Sequence, residues 1–252
     1  MKPGTEYFIQ RDRFALLLDI DGTLLDIAAR PDAVRVPEQL LKNLSCIFKR
    51  LDGALALVSG RLVQTIDELF SPLTLPAIGC HGAELRLNPG RRDVLVLTPP
   101  LSGSLRARMD AIAARYPGVS VEDKVYSLAL HYRNAPHLAD ALRESVQEIF
   151  REAPPGTVEI LAGKCVFEIK LAGIDKGTGL RTLMEHAPFR GRRPIFLGDD
   201  VTDESAFAVL PEFNGVGIAV GKEMPGAALV FQDPPEVRAW LASIAKLEEP
   251  AG

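Results

Sequence analysis

The segment Phe14-Ala15-Leu16-Leu17-Leu18-Asp19-Ile20-Asp21-Gly22-Thr23 decides the fold of this chain. Its first five residues form a continuous apolar run, which ends abruptly in two aspartates, a glycine and a threonine. A short continuous apolar run closed by turn residues is typical of a β-strand that is buried on both faces in a parallel sheet. Carboxylates placed directly at the end of such a strand indicate a functional site, because a buried charge without a partner is unfavourable.

Two further apolar runs end in polar residues in the same way. Residues Ala54–Val58 precede Ser59-Gly60-Arg61, and residues Pro194–Leu197 precede Gly198-Asp199-Asp200. Amphipathic helical patterns separate the runs, for example in Pro37–Leu51. This alternation predicts an α/β fold with a Rossmann-like, doubly wound parallel sheet that helices cover on both faces. Because ligands bind at the carboxyl ends of strands in such sheets, we expect the site there.

The middle of the chain has a different pattern and reads as a small α/β domain. Pro99-Pro100 marks one seam of this domain and Gly173 marks the other. We therefore predict a discontinuous core domain of residues 1–97 and 173–252, with an α/β cap domain of residues 98–172 inserted into it. The elements predicted for the cap are helices at 101–116 and 136–152, a strand pair around 126–132, and strands near 158–161 and 166–169.

Composition excludes several classes of protein. The chain has 252 residues, of which 47% are hydrophobic and 25% are charged, as in an ordinary globular protein. The net charge of −4 gives no reason to expect a nucleic-acid partner. No apolar run approaches the ~18 residues of a membrane span, and the amino terminus lacks the apolar core of a secretory signal. Three scattered cysteines predict free thiols, so we expect a cytoplasmic protein without a membrane partner.

The acidic strand ends indicate a divalent cation. Asp19 and Asp21 repel each other unless a cation joins them or one of them is protonated. A calcium loop of the EF-hand type is excluded, because its fifth, sixth and twelfth positions would be Thr23, Leu24 and Arg30. Mg²⁺ prefers a few carboxylates together with water and phosphate oxygens. The ligands that this predicts are Asp19, Asp21 and Asp199.

Two other segments could bind the oxygens of a phosphate. The hydroxyl of Ser59 and its neighbouring N–H groups could hold an oxyanion at a helix N-terminus. Lys176, which follows Ile174-Asp175, opens another predicted helix and could neutralise negative charge. Each signal is weak alone, but together at the strand ends of one sheet they predict a phosphate site.

These four segments resemble the four motifs of the haloacid dehalogenase-like phosphatases, in the order of that family. The resemblance implies that Asp19 attacks phosphorus and that Asp21 acts as general acid and then as general base. It implies a Mg²⁺ ion bound by Asp19, by the backbone carbonyl of Asp21 and by Asp199. It implies that Ser59 and Lys176 bind the phosphoryl oxygens and that Asp200 and Asp203 lie behind the metal ligands. The other residues that it places in the site are Thr23, Gly60 and Arg61.

A finer resemblance concerns the substrate. Four longer sequence segments are similar to segments of the trehalose-6-phosphate phosphatases. They are Gly79-Cys80-His81-Gly82-Ala83-Glu84, Lys124 to Arg133, Gly163 to Ile169 and Gly198 to Glu204. This resemblance implies hydrolysis of trehalose 6-phosphate to trehalose and phosphate. It also implies sugar contacts, for which the candidates are His81, Glu122, Lys124, Arg133, Lys164 and Glu168. Glu168 interrupts an apolar strand, although it shares the parity of Val166 and could simply face outward.

Two alternatives remain open from the sequence. The first is a phosphatase with the same mechanism that acts on another sugar phosphate, such as sucrose 6-phosphate or mannosyl-3-phosphoglycerate. The second is a metal- or sugar-binding module without catalysis, which the pair of Asp19 and Asp21 argues against. A trehalose-phosphate synthase is expected to be a separate chain, and the sequence gives no support for a stable complex with it.

Overall fold

The computed structural model describes residues 13–27, 34–90, 93–163 and 165–247. The described residues divide into two compact units. The second unit is formed by residues 96–174, and the first by the described residues before and after them. All three cysteines are free. Among the described residues, no helix combines the length and the apolar character that are needed to cross a membrane.

The first unit is built on a mainly parallel sheet, and the strand predicted from Phe14–Leu18 lies at its centre. The sheet has eight strands in the order β12-β11-β10-β1-β2-β3-β4-β5. Strand β1 is parallel to β10 and to β2, and all six of its residues are buried, which explains its continuous apolar run. The strands are β1 (Phe14–Asp19), β2 (Leu55–Val58), β3 (Ala77–Gly79), β4 (Glu84–Arg86), β5 (Leu95–Val96), β10 (Arg193–Gly198), β11 (Val216–Val220) and β12 (Leu229–Phe231).

The helices of the first unit pair with one another on the sheet. Helix α1 packs against α7, and α5 packs against α6. The helices are α1 (Glu38–Arg50), α2 (Val63–Phe70), α5 (Lys176–Met184), α6 (Glu204–Val209) and α7 (Pro234–Ala245). The predicted α/β fold with a parallel-dominated sheet is confirmed.

One part of the sheet departs from the parallel pattern. Strand β4 is antiparallel to β3, since the chain reverses through the short turn Cys80–Gly82 instead of crossing over through a helix. Cys80, His81 and Gly82 all have positive φ in this turn. Such a reversal is too short to leave a periodic pattern in the sequence, and this antiparallel strand was therefore not predicted.

The second unit is an antiparallel sheet with two helices. Its strands run in the order β6-β7-β9-β8. One face of this sheet and the helices enclose an apolar core that includes Leu128, Leu130, Phe167 and Ile169. The elements are α3 (Gly103–Arg115), β6 (Ser120–Asp123), β7 (Ser127–His131), α4 (Ala139–Glu152), β8 (Val158–Gly163) and β9 (Val166–Leu171).

Candidate active site

The carboxyl ends of β10, β1 and β2 are neighbours at one edge of the large sheet, and they bring the predicted core residues together. Asp19 is the last residue of β1, Ser59 follows β2 and Asp199 follows β10. Helix α5 begins at Lys176, after a capping box in which the Asp175 side chain accepts a hydrogen bond from the Thr178 amide. The order of the strands in the sheet thus produces the cluster that the strand ends predict.

Lys176 joins two buried carboxylates. Its Nζ atom lies 2.8 Å from Oδ1 of Asp19 and 2.7 Å from Oδ1 of Asp203. Lys176 is 3% exposed, Asp19 4% and Asp203 0%. The other oxygen of Asp19, Oδ2, is buried and accepts no hydrogen bond from the described residues. One oxygen of Asp19 is therefore fixed by the ammonium, while the other is left for chemistry.

The site carries more negative than positive charge. Burial raises the pKa of Asp19 well above its ordinary value, and the Asp203 and Asp199 charges raise it further, against the opposing effect of Lys176. Burial also raises the pKa of Asp199, to about 6, with help from Asp203 and Asp200. Burial by itself lowers the pKa of Lys176, but the surrounding aspartates outweigh it and hold that pKa above its usual range.

The residue types and their placement fit a divalent cation. Asp19, Asp199 and Asp203 each offer a carboxylate oxygen, and these oxygens lie within 4.8 Å of one another. Both oxygens of Asp203 are already used, because Oδ1 accepts from Lys176 and Oδ2 accepts from the Asp199 and Asp200 amides at 2.9 and 3.1 Å. The carboxylates of Asp19 and Asp199 are thus better placed than that of Asp203 to bind a divalent cation, and Asp203 supports them.

Thr23 and Gly22 lie against Asp199. The Thr23 hydroxyl is buried and donates to Oδ1 of Asp199 at 3.3 Å. Gly22 has φ +92°, and a Cβ at this position would overlap the Asp199 carboxylate. The loop after β1 therefore needs glycine for two reasons, which are its left-handed backbone and its close approach to Asp199.

Asp200 has a different environment from Asp19 and Asp199. It is exposed, and its Oδ1 accepts from the amide and the hydroxyl of Thr202 at 2.8 and 2.6 Å. This is the geometry of a cap on the short helical turn Val201–Asp203. Asp200 acts on the site through its charge, which helps to raise the pKa of Lys176.

Asp21 is held by Arg61. The guanidinium forms two hydrogen bonds of 2.7 Å to the two carboxylate oxygens. This bidentate pair is the strong form of an arginine–carboxylate contact. The amide of Arg61 donates to the Ser59 hydroxyl at 3.1 Å, so that the loop after β2 closes on itself. Ser59 is 2% exposed.

The loop Ser59–Arg61, which was predicted to bind phosphate and is called the phosphate loop here, is anchored by the turn that follows β3. The amides of Cys80 and His81 donate to the carbonyls of Arg61 and Ser59, and Glu84 accepts from the first amide of α2, Val63, at 2.8 Å. A Cβ on Gly60 would overlap the imidazole of His81. The Val63 amide is thus already bonded and is not offered to an oxyanion, and His81 lies against the phosphate loop.

In the second unit, the predicted sugar contacts Glu122 and Glu168 lie in one row across the sheet. Both align with Ala129 of β7, on the face opposite to the apolar core. Glu168 does face outward, as its parity with Val166 allows, but its side chain is only 12% exposed. It accepts from the Ser127 hydroxyl and lies 3.5 Å from Nζ of Lys124. Glu122 contacts His131 at 2.9 Å.

The last two predicted sugar contacts lie outside this group. Arg133 is exposed and follows the end of β7. Lys164 lies outside the residues that the structure describes.

Comparison with known proteins identifies the family. The family model for trehalose-phosphatases matches residues 17–232. The trehalose-6-phosphate phosphatase of Escherichia coli K12 is 39% identical to this chain over 243 residues, covering 96% of the chain and 91% of that protein. This chain belongs to the trehalose-phosphatase family. The probable trehalose-phosphate phosphatase of Sinorhizobium fredii is 40% identical over 239 residues, covering 94% of the chain and 89% of that protein.

The fold agrees with the family. The C-terminal domain of the Candida albicans trehalose-6-phosphate phosphatase superposes with a TM-score of 0.80 at 23% identity, and the match covers 97% of both chains. The chain thus has the fold of the haloacid dehalogenase-like phosphatases, and as a trehalose-phosphatase it is a phosphoric monoester hydrolase.

Two serine side chains of this trehalose-phosphatase contact candidate site residues or the segments that carry them, and neither was predicted as a site residue. The Ser127 hydroxyl donates to Glu168, and Ser127 is buried. The Ser205 hydroxyl accepts from the Gly177 amide at 3.3 Å and donates to the Thr202 carbonyl. These two bonds join the start of α5 to the acidic segment Asp199–Asp203. A serine gives no sequence signal of this kind, because its partner comes from a distant part of the chain.

Proposed function

We propose that this chain hydrolyses trehalose 6-phosphate to trehalose and phosphate, with an aspartyl phosphate on Asp19 as the intermediate. The observation that carries the proposal is the hydrogen bonding of the Asp19 carboxylate. Its Oδ1 is bound by Lys176, while its buried Oδ2 has no hydrogen-bond partner among the described residues. The relatives in Escherichia coli and Sinorhizobium fredii are named for the same activity.

The first step is displacement at phosphorus. Oδ2 of Asp19 attacks, the bond between phosphorus and the sugar oxygen breaks, and Asp21 gives a proton to the departing oxygen. Lys176 holds the nucleophile in place through Oδ1, and it offsets part of the repulsion between the carboxylate and the phosphate. Ser59 and Arg61, at the end of β2, are the proposed contacts for phosphoryl oxygens.

The second step removes the phosphoryl group from Asp19. Asp21 takes a proton from a water molecule that attacks phosphorus, the bond to Asp19 breaks, and phosphate leaves. Arg61 grips Asp21 with two hydrogen bonds before substrate binds. A phosphate group that draws the guanidinium toward itself would release Asp21. The freed carboxylate can then take up a proton from solvent, give it to the leaving oxygen and recover a proton from the attacking water.

We propose Mg²⁺ as the cofactor, held by Asp19, the backbone carbonyl of Asp21 and Asp199. The support is the charge of the site, in which Lys176 faces the carboxylates of Asp19, Asp199 and Asp203 within the described residues. Bound Mg²⁺ would supply positive charge to the phosphoryl oxygens during transfer.

We propose residues 98–172 as a cap that recognises the sugar, with Glu122, Lys124, Arg133, Lys164 and Glu168 as its contacts. A disaccharide presents many hydroxyls, which charged and amide groups recognise through several hydrogen bonds. We also place the reaction in the cytoplasm, where three free thiols would stay reduced.

The test is phosphate release from a panel of trehalose 6-phosphate, sucrose 6-phosphate, mannosyl-3-phosphoglycerate and glucose 6-phosphate. Each is assayed with Mg²⁺, with excess chelator, and with the Asp19→Asn variant. We expect a strong preference for trehalose 6-phosphate, which is lost with the chelator and in the variant. Equal rates across the panel would refute the substrate, and full activity of the variant would refute the mechanism.

A further inference from the structure

The hairpin between β6 and β7 turns through a strained residue. Val125 has φ +69°. The Tyr126 amide donates to the Lys124 carbonyl at 2.8 Å, and this bond closes a γ-turn with Val125 at its centre. A γ-turn with positive φ is rare and strained, and for a β-branched residue positive φ is an outlier. Glycine is the residue that adopts this backbone freely.

Hydrogen bonds from two side chains, Arg106 of α3 and Asp123 of β6, hold the strained turn. We call this pair of side chains the Arg106 clamp. The Val125 amide donates to Oδ1 of Asp123 at 2.7 Å, and the Val125 carbonyl accepts from Arg106 Nη2 at 2.7 Å. That carbonyl also accepts from the Leu101 amide at 3.0 Å. Arg106 Nε in turn lies 2.6 Å from Oδ2 of Asp123.

The clamp therefore fixes both backbone polar groups of Val125. Arg106 is itself anchored, because it also donates to the Leu101 carbonyl. The hydrogen bond from Arg106 lowers the pKa of Asp123, so this carboxylate stays ionised at neutral pH. Strained residues persist where the surrounding structure over-determines them, and such residues concentrate at functional sites.

The turn sets the position of Lys124. Its carbonyl accepts from Tyr126 within the γ-turn, and its amide donates to the Ser127 carbonyl at 2.9 Å. Its ammonium lies 3.5 Å from Oε2 of Glu168, which is itself fixed by the pairing of β9 with β7 and by the Ser127 hydroxyl. If Val125 relaxed to negative φ, the direction of the backbone through the turn would change, and Lys124 would leave its place beside Glu168.

We propose that Arg106 is a positioning residue for sugar recognition, which acts through Asp123 and the strained γ-turn at Val125 to hold Lys124 beside Glu168. Arg106 itself does not touch the sugar. The inference rests on the proposed function, because it takes Lys124 and Glu168 as contacts to the hydroxyls of a disaccharide. Valine at position 125 makes the turn depend on the clamp, whereas glycine would make it independent.

The experiment is a double-mutant cycle with Arg106→Ala, Val125→Gly and the combined variant. KM and kcat are measured with trehalose 6-phosphate, and p-nitrophenyl phosphate serves as a substrate without sugar hydroxyls. Arg108→Ala is the matched control, because Arg108 lies on the same helix and pairs with Glu152 at 2.8 Å, away from the turn. Amide hydrogen exchange at Tyr126 reports whether the γ-turn is formed.

We expect Arg106→Ala to raise KM for trehalose 6-phosphate about tenfold, the effect of one lost charged hydrogen bond, with kcat nearly unchanged. Exchange at Tyr126 should become faster in the same variant. Val125→Gly should behave like the wild type, and adding it to Arg106→Ala should restore KM to within about threefold, because glycine needs no clamp. Arg108→Ala should change nothing.

The proposal is overturned if Arg106→Ala leaves KM unchanged, or if Val125→Gly fails to rescue it. Faster exchange at Tyr126 without a change in KM would make the clamp purely structural, which also overturns it. Should Arg106→Ala fail to fold, Arg106→Lys keeps the charge but lacks the forked contact, and the same rescue by Val125→Gly is expected. A wild type that does not prefer trehalose 6-phosphate refutes the proposed function, which separates that failure from failure of the clamp.

Discussion

Replacing Asp199 with asparagine should stabilise the metal-free fold while removing its response to Mg²⁺. Asparagine has nearly the same shape, and its side-chain oxygen can still accept from Thr23, which lies 3.3 Å from Oδ1 of Asp199. The change removes one negative charge from a cluster in which Asp203 and Asp200 also act on Asp199. Stability and function are therefore expected to move in opposite directions at this position.

The size and the pH dependence follow from the pKa of Asp199, which rises from its ordinary 3.8 to about 6 in the folded protein. The unfolded chain loses its proton at lower pH than the folded chain does. Folding free energy is therefore lost as pH rises from about 4 through 6, and it stays lost above that. The full shift corresponds to about 3 kcal/mol. Because Asp199 is partly exposed and screened, we expect about 1–2 kcal/mol.

The assay is urea unfolding of the wild type and the variant in chelator, at pH 4 and at pH 7.5, and again with Mg²⁺ at pH 7.5. In chelator the variant should be more stable by about 1–2 kcal/mol at pH 7.5 and nearly equal to the wild type at pH 4. Mg²⁺ should stabilise the wild type only. Glu223→Gln, on an exposed loop after β11, is the charge-matched control and should show neither effect. A variant that is less stable in chelator at pH 7.5, or an equal gain at both pH values, would refute the reasoning.

Three further substitutions test other parts of the account. Lys176→Met leaves the buried carboxylates of Asp19 and Asp203 without their cation, so the free energy of unfolding at neutral pH, measured with a chemical denaturant, should fall by about 3–5 kcal/mol. A fall below about 1 kcal/mol would contradict the buried pairing. Gly22→Ala adds a Cβ to a residue with left-handed backbone and places it on the Asp199 carboxylate, so it should destabilise the fold by at least about 1–2 kcal/mol and abolish phosphate release. Normal activity of this variant would rule out the close approach of Gly22 to Asp199. Glu168→Gln removes a charge beside Lys124, so we expect KM for trehalose 6-phosphate to rise about tenfold at similar kcat and stability, whereas a fall in kcat alone would argue against a binding role.

The position of the core site could be predicted from the sequence because the strand ends carry the signal. A buried parallel strand has a continuous apolar run, and its end is marked where the run stops, as at Asp19 and Asp199. Parallel strands place those ends at one edge of the sheet, and this brings Asp19 and Lys176 within 2.8 Å although they are far apart in sequence. Local patterns were sufficient here because the carboxyl ends of the neighbouring parallel strands β10, β1 and β2 lie side by side in the sheet.

The parts that the sequence did not reveal depend on contacts between distant segments. The pairing of Asp21 with Arg61 could not be predicted, because both residues were expected to face substrate and nothing local favours their contact. The Glu84 bond to the start of α2 depends on the reversal at Cys80–Gly82, where two non-glycine residues adopt positive φ. The turn at Val125 is similar, because a valine gives no sign that Arg106 holds it in a glycine-like conformation.

The most direct test of the account is to look for the phosphoryl group on Asp19. The wild type is mixed with trehalose 6-phosphate and Mg²⁺, quenched with acid within the first turnover, and digested for mass spectrometry, with Asp19→Asn treated in parallel. The account predicts one added phosphoryl group on the peptide that contains Asp19, at Asp19 itself, and none in the variant. Release of phosphate without a labelled Asp19, or a phosphoryl group on a different residue, would contradict it.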